Sequence, residues 1–238
     1  MSSNRLKVLL VSLLAVLAIS AVASGSASAH GFWICKEGGT EKYTEHLCKT
    51  KAETGKWSYL PVEGAEVFKF EGTSGVSKLE STLSGTRVII ECKKDKITGE
   101  LEAGGKTKNT VIVYEECKLF TVAKYIKTLT TCVVPNITTS KLNDLLVTGK
   151  GIGPEDEFEP AEAGGPFAKV VVEGCALTST ESVLGKQICQ LPEATVGLVE
   201  HELECSPSGG ALTFGGKPAS YYGSALVKLE NKWTWGAE

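Results

Sequence analysis

The chain has 238 residues, a formal net charge of −3, eight cysteines, 26 glycines and three histidines. A balance this close to neutral, with no basic run or stripe, excludes the electrostatic footprint of a nucleic-acid binder. An even cysteine count with no C-x-x-C pair points to disulfides rather than to zinc.

Residues 1–29 begin with Arg5 and Lys7, continue in an apolar run from Val8 to Ala23 and close on Ala27-Ser28-Ala29. Basic, then apolar, then small is the order of a secretory signal peptide, and the run is short of the roughly 20 residues that a spanning helix needs. The expectation is an extracellular chain without a membrane span after cleavage. No cysteine follows the apolar run, so a lipid anchor is not indicated. Cleavage after Ala29 makes His30 the first residue, whereas a second A-x-A at Ala21-Val22-Ala23 releases Ser24 instead.

An N-terminal histidine offers copper a free amine and an imidazole, and Cu(II) favours a tetragonal nitrogen field that a second histidine would complete. His46 lies in a polar stretch two residues before Cys48. His201 shares a strand face with Val199, Leu203 and Cys205, the setting of a core histidine. A copper oxidase or monooxygenase built on His30 and His46 is therefore the alternative to a leading reading that needs no cofactor.

Residues 30–60 form a small N-terminal segment tied by Cys35 and Cys48. From residue 61 to 238, short alternating runs between glycine turns predict strands, as in Val111 and Val113 against Ile112 and Tyr114. Such punctuation favours an all-β, disulfide-stapled sandwich or barrel of antiparallel strands. Only "TTSKLNDLLVTG" (138–149) has helical spacing, with Ser140 as cap, Leu142, Leu145 and Leu146 on one side and Gly149 as stop. The stretch "GPEDEFEPAEAGG" gathers Glu155, Asp156, Glu157, Glu159 and Glu162 without the ordered spacing of a calcium loop, and reads as a solvated, mobile loop. Glu200, Glu202 and Glu204 alternate outward along one strand, and nothing marks any of them as a proton donor.

Two copies of one pattern occur in the chain, "VIIECKKDKITGELEAGGK" (88–106) and "HELECSPSGGALTFGGK" (201–217). "VIVYEEC" (111–117) likewise corresponds to "VVVEGC" (170–175). Duplication into two halves is the simplest account. It suggests local bridges Cys117–Cys132 and Cys175–Cys189, a bridge Cys92–Cys205 between the copies, and Cys35–Cys48 closing the N-terminal loop.

Trp33-Ile34-Cys35, Tyr43, Cys48 and Trp57-Ser58-Tyr59-Leu60, followed by "VIIECKKDKITGELEAGG" and "VIVYEECKL", resemble a group of uncharacterised secreted proteins of soil actinobacteria. The resemblance spans nearly the whole chain after the leader. It implies export and bacterial origin and brings no catalytic or ligand-binding residue with it.

Among the aromatic residues, Trp33 with Trp57 and Tyr59, and Trp233 with Trp235 at period two, would offer flat apolar faces to sugar rings if exposed. These observations converge on a secreted, non-enzymatic structural or binding module of unknown ligand, for which a glycan or a cell-envelope component is the candidate partner.

Overall fold

Burial alternates residue by residue through most of the chain. Asp95, Ile97, Gly99 and Leu101 are buried while Lys94, Lys96 and Thr98 face out, the period of a half-buried strand. The computed structural model describes residues 31–148, 153–191 and 197–237, so the leader, both cleavage sites and His30 lie outside the described residues.

The first strands in chain order are β1 (Phe32–Glu37), β2 (Trp57–Pro61), β3 (Phe68–Ser74), β4 (Ser77–Leu83), β5 (Thr86–Cys92), β6 (Lys94–Glu102), β7 (Lys106–Glu115), β8 (Lys118–Ala123), β9 (Ile126–Val133) and β10 (Ile137–Thr138). They are followed by β11 (Leu142–Val147), β12 (Glu155–Pro160), β13 (Ala168–Val172), β14 (Ser179–Leu184), β15 (Gln187–Gln190), β16 (Glu200–Gly210), β17 (Leu212–Phe214), β18 (Lys217–Leu229) and β19 (Trp235–Ala237). The architecture is all-β, as the alternation predicts.

Eight strands in the order β16-β15-β12-β11-β7-β6-β3-β18 close into a barrel through the β16–β18 pairing, every neighbour antiparallel. Closure removes exposed edges, and an eight-stranded barrel has an interior that side chains nearly fill. The extra strands extend from β18, whose 13 residues serve two neighbourhoods. Ala225–Leu229 pair with β3, while Ser220–Tyr222 pair with β4. From there β4-β5-β8-β9 run one way and β17-β14-β13 the other. Reciprocal hydrogen bonds between Val133 and Glu173, both 2.9 Å, join β9 to the end of β13 and complete a second ring. The two rings share β18 and adjoin at a waist.

A bulge shapes the barrel. Between Thr98↔Val111 and Glu100↔Lys108 strand β7 carries one extra residue, with Asn109 at φ 53°. Asparagine tolerates the left-handed region, and a bulge sharpens strand bending. The extra residue turns both Thr107 and Thr110 inward although they are three positions apart. Beside it, a Cβ at Gly99 would stand 2.5 Å from Phe70 Cζ, so glycine leaves the room that the Phe70 ring fills.

A three-stranded sheet, β19-β1-β2, covers one end of the barrel. Phe32, Ile34 and Trp235 join the main core, while Cys35, Tyr43 and Cys48 form a small cluster of their own with Trp57 and Tyr59. The N-terminal segment is thus completed by the C-terminal strand.

Three expectations are corrected. The helical spacing of residues 138–149 is overturned: Leu142–Val147 is strand β11, with Leu142, Asp144 and Leu146 inward and Leu145 exposed. Leucines at 142, 145 and 146 fit either period, and long-range pairing with β7 and β12 decides. The acidic stretch is not a loop at Glu155–Pro160, because β12 buries Asp156 and Phe158 and sets Glu157 against Lys186 at 2.7 Å. Of the expected bridges only Cys35–Cys48 forms, and the others are Cys92–Cys117, Cys132–Cys175 and Cys189–Cys205. Cys189 and Cys205 lie directly opposite in the ladder, and Cys92 ends the strand that neighbours β8 just after Cys117. The β8–β9 hairpin brings Cys117 and Cys132 to the same end, but Cys117 bonds to Cys92 at the end of β5 and Cys132 to Cys175 just past the end of β13. Four disulfides suit an oxidising, extracellular environment.

Candidate functional site

The outer face of the cap sheet carries the first candidate. Register places Cys35 opposite Tyr59 and Trp33 opposite Pro61, so Trp33, Trp57 and Tyr59 share the face turned away from the barrel. Residues 38–56 cover part of it, pinned by Cys35–Cys48 and by the bridges of Tyr43 to Lys51 and Trp57. What stays open is a depression of about 640 Å³ lined by Trp33, Tyr43, Tyr59, Glu41, Lys49 and Lys51 among others. Trp33 and Tyr59 are half-buried; Tyr43 is buried edge-on to Tyr59, with ring centroids 5.8 Å apart. Lys51 lies 3.5 Å from Glu41 and 5.6 Å from the Tyr43 ring centroid. The Tyr59 hydroxyl is 3.4 Å from Thr234 Oγ1, and burial pushes its phenol above the ordinary value.

The remaining aromatic candidates do not line this depression. Trp57 packs edge-on against His46 and Trp233, and Trp233 also meets Phe68. Trp235 is 3 % exposed, with its indole N–H donating to the Val199 carbonyl at 3.1 Å. The paired platform expected from Trp233 and Trp235 is therefore absent: β19 starts only at Trp235 and turns that ring into the core.

The two histidines among the described residues are likewise apart. His201 is 2 % exposed, with its ring 4.4 Å from that of Trp235 and Nε2 2.8 Å from the Trp235 carbonyl. His46 is exposed. Among the described residues, no three His, Cys, Asp or Glu side chains gather where they could hold a metal ion. Glu200, Glu202 and Glu204 project outward from β16.

The barrel interior holds two polar clusters that sequence reasoning missed. In the first, Asp144 Oδ2 accepts hydrogen bonds from Thr107 and, at 2.8 Å, from Thr110, while Oδ1 of Asp144 and Oδ1 of Asp156 have no partner. The register Leu146↔Asp156 and Asp144↔Phe158 sets the two carboxyls diagonally across β11 and β12. Burial raises the Asp144 carboxyl to about 7 against the pull of the two threonines. Burial, and then the Asp144 charge, raise Asp156 well above the carboxylate range.

The second cluster sits at the waist, where a cavity of about 70 Å³ is lined from both rings. Ser77, Asp95, Tyr114 and Tyr221 face it. Burial pushes Asp95 up, opposed by the nearby Ser74 and Ser77 hydroxyls, and burial also raises both phenols. A signal for these residues was present: Asp95, Asp144 and Asp156 each keep step with apolar neighbours two positions away, Ile97, Leu142 with Leu146, and Phe158.

No helix among the described residues is long and apolar enough to cross a membrane. The chain's likeness to other proteins adds nothing to this geometry: no protein-family model, curated protein or solved structure matches it.

Proposed function

We propose that the chain is a secreted, non-enzymatic binding module that recognises a glycan of the cell envelope through the outer face of its cap sheet. The observation that carries this reading is the shared depression of Trp33 and Tyr59 with Glu41, Lys49 and Lys51 around it. The C–H faces of a sugar ring are apolar and stack on aromatic rings, while its hydroxyls need fixed charged or polar partners. The basic, apolar and small-residue order of residues 1–29 and the four disulfides support an extracellular site of action.

The test is binding of purified chain to an array of bacterial envelope glycans, followed by calorimetry on any hit. Trp33→Ala is expected to weaken binding by about tenfold or more, as the loss of a central aromatic anchor does, with the unfolding midpoint unchanged. Absence of any glycan hit, or full affinity in Trp33→Ala, overturns the reading.

A further inference from the structure

The waist cavity is a separate feature from the cap-sheet depression and shares no residue with it. Ile90, Cys92 and Val170 face it from the second ring, Ile97 and Leu203 from the barrel. Along a cavity of this kind the lining side chains lack the close protein partners that a packed core supplies. One lining group is also left open. The Ser77 hydroxyl is part of a residue only 1 % exposed, and no partner meets it at hydrogen-bond geometry, although Asp95 and Tyr221 are nearby. Gln187, by contrast, is occupied, its amide donating to the Ile188 and Ser206 carbonyls at 2.9 and 3.1 Å. Lys78, the one basic side chain at the cavity, pairs outward with Glu91 at 3.7 Å, so no interior cation awaits an anionic ligand.

From this cavity and its orphan hydroxyl we infer that the waist is a binding site for a small uncharged apolar molecule carrying one hydroxyl group. The apolar part fills the space between the rings. The hydroxyl, which both donates and accepts, completes the hydrogen bonding of Ser77 beside Asp95 and the Tyr114–Tyr221 pair, whose rings stand 6.1 Å apart. An engineered apolar cavity of roughly 150 Å³ accepts benzene with its six carbons, so about 70 Å³ suits a ligand of roughly three non-hydrogen atoms. Charged ligands are excluded because the surroundings penalise a buried charge.

The probes are ethanol and xenon, titrated separately into the full chain while methyl NMR signals of Ile97, Val170 and Leu203 are followed. Both are expected to shift these methyls saturably. Ser77→Ala is expected to weaken the alcohol about fivefold, the worth of one hydrogen bond, and to leave xenon unchanged. Ala225→Leu, which fills the waist, is expected to abolish both, with Ala225→Val as the milder substitution if the leucine variant does not fold. No saturable shift with either probe, binding that survives a folded Ala225 variant, or ordered water that the alcohol does not displace would each overturn the site. Trp33→Ala leaves this titration unchanged, so failure here and failure of the glycan reading are told apart.

Discussion

The carboxyl pair under the bulge and the polar cluster at the waist are both buried inside one barrel, yet they meet the cost of burial differently. Asp144 is held by two threonine hydroxyls that the β7 bulge turns toward it, and the nearest cavity, lined by Asp156 and Thr107 between barrel and cap, is only about 20 Å³. That is room for about one water molecule. At the waist the polar groups face a space several times larger, and the Ser77 hydroxyl is left without a partner. Two carboxyl oxygens of the first cluster, Asp144 Oδ1 and Asp156 Oδ1, also lack a partner, but the space beside them is too small for a ligand, so that cluster is sterically closed and reads as structure; the second faces open space and reads as a site.

The largest expected effect separates the clusters by pH. Because the folded state raises Asp144 from an ordinary value near 4 to about 7, it binds that proton more tightly than the unfolded chain does. This contribution to stability is complete below about pH 4 and is lost as pH rises through about 7, on the order of 4 kcal/mol in all. Urea unfolding at pH 4 and pH 8 should show the loss, and Asp144→Asn should reduce it without abolishing it, because burial also raises the Asp156 carboxyl. Parallel pH profiles in the two proteins would place the titration elsewhere.

A smaller effect comes from the donors. Thr110→Val keeps the shape but removes a hydrogen bond to the buried carboxyl, and should cost about 2 kcal/mol in the same assay. Smallest is Ser77→Ala, expected within about 0.5 kcal/mol of zero because no hydrogen bond is lost. Equal costs for these two substitutions would erase the distinction between a closed and an open cluster.

How far these features were legible follows from their range in the sequence. Alternation within a strand is local, so the all-β class and the outward glutamates of β16 could be read directly. The repeated segments also have local meaning: their Gly-Gly pairs turn the β6–β7 and β17–β18 hairpins. Disulfide partners depend on which strands become neighbours once the barrel closes, and the duplicated pattern suggested Cys92 with Cys205, although Cys92 bonds to Cys117 just before the adjacent β8 and Cys205 to Cys189 on the adjacent β15. Asp156 was hidden by its company, since four glutamates around it describe a solvated surface and only pairing with β11 shows which carboxyl turns inward. Tyr114 and Tyr221 meet across the waist from strands far apart in the chain, a proximity that no local pattern encodes.

The most direct measurement is a pH titration of the aspartate side-chain carboxyl carbons by NMR. The expected result is that the Asp144 signal titrates near pH 7 and does not respond to ethanol, while the Asp95 signal moves when the alcohol binds. Titration of Asp144 in the ordinary range near pH 4, or the same response of both signals to the alcohol, would contradict the division of the barrel interior into one closed and one open polar cluster.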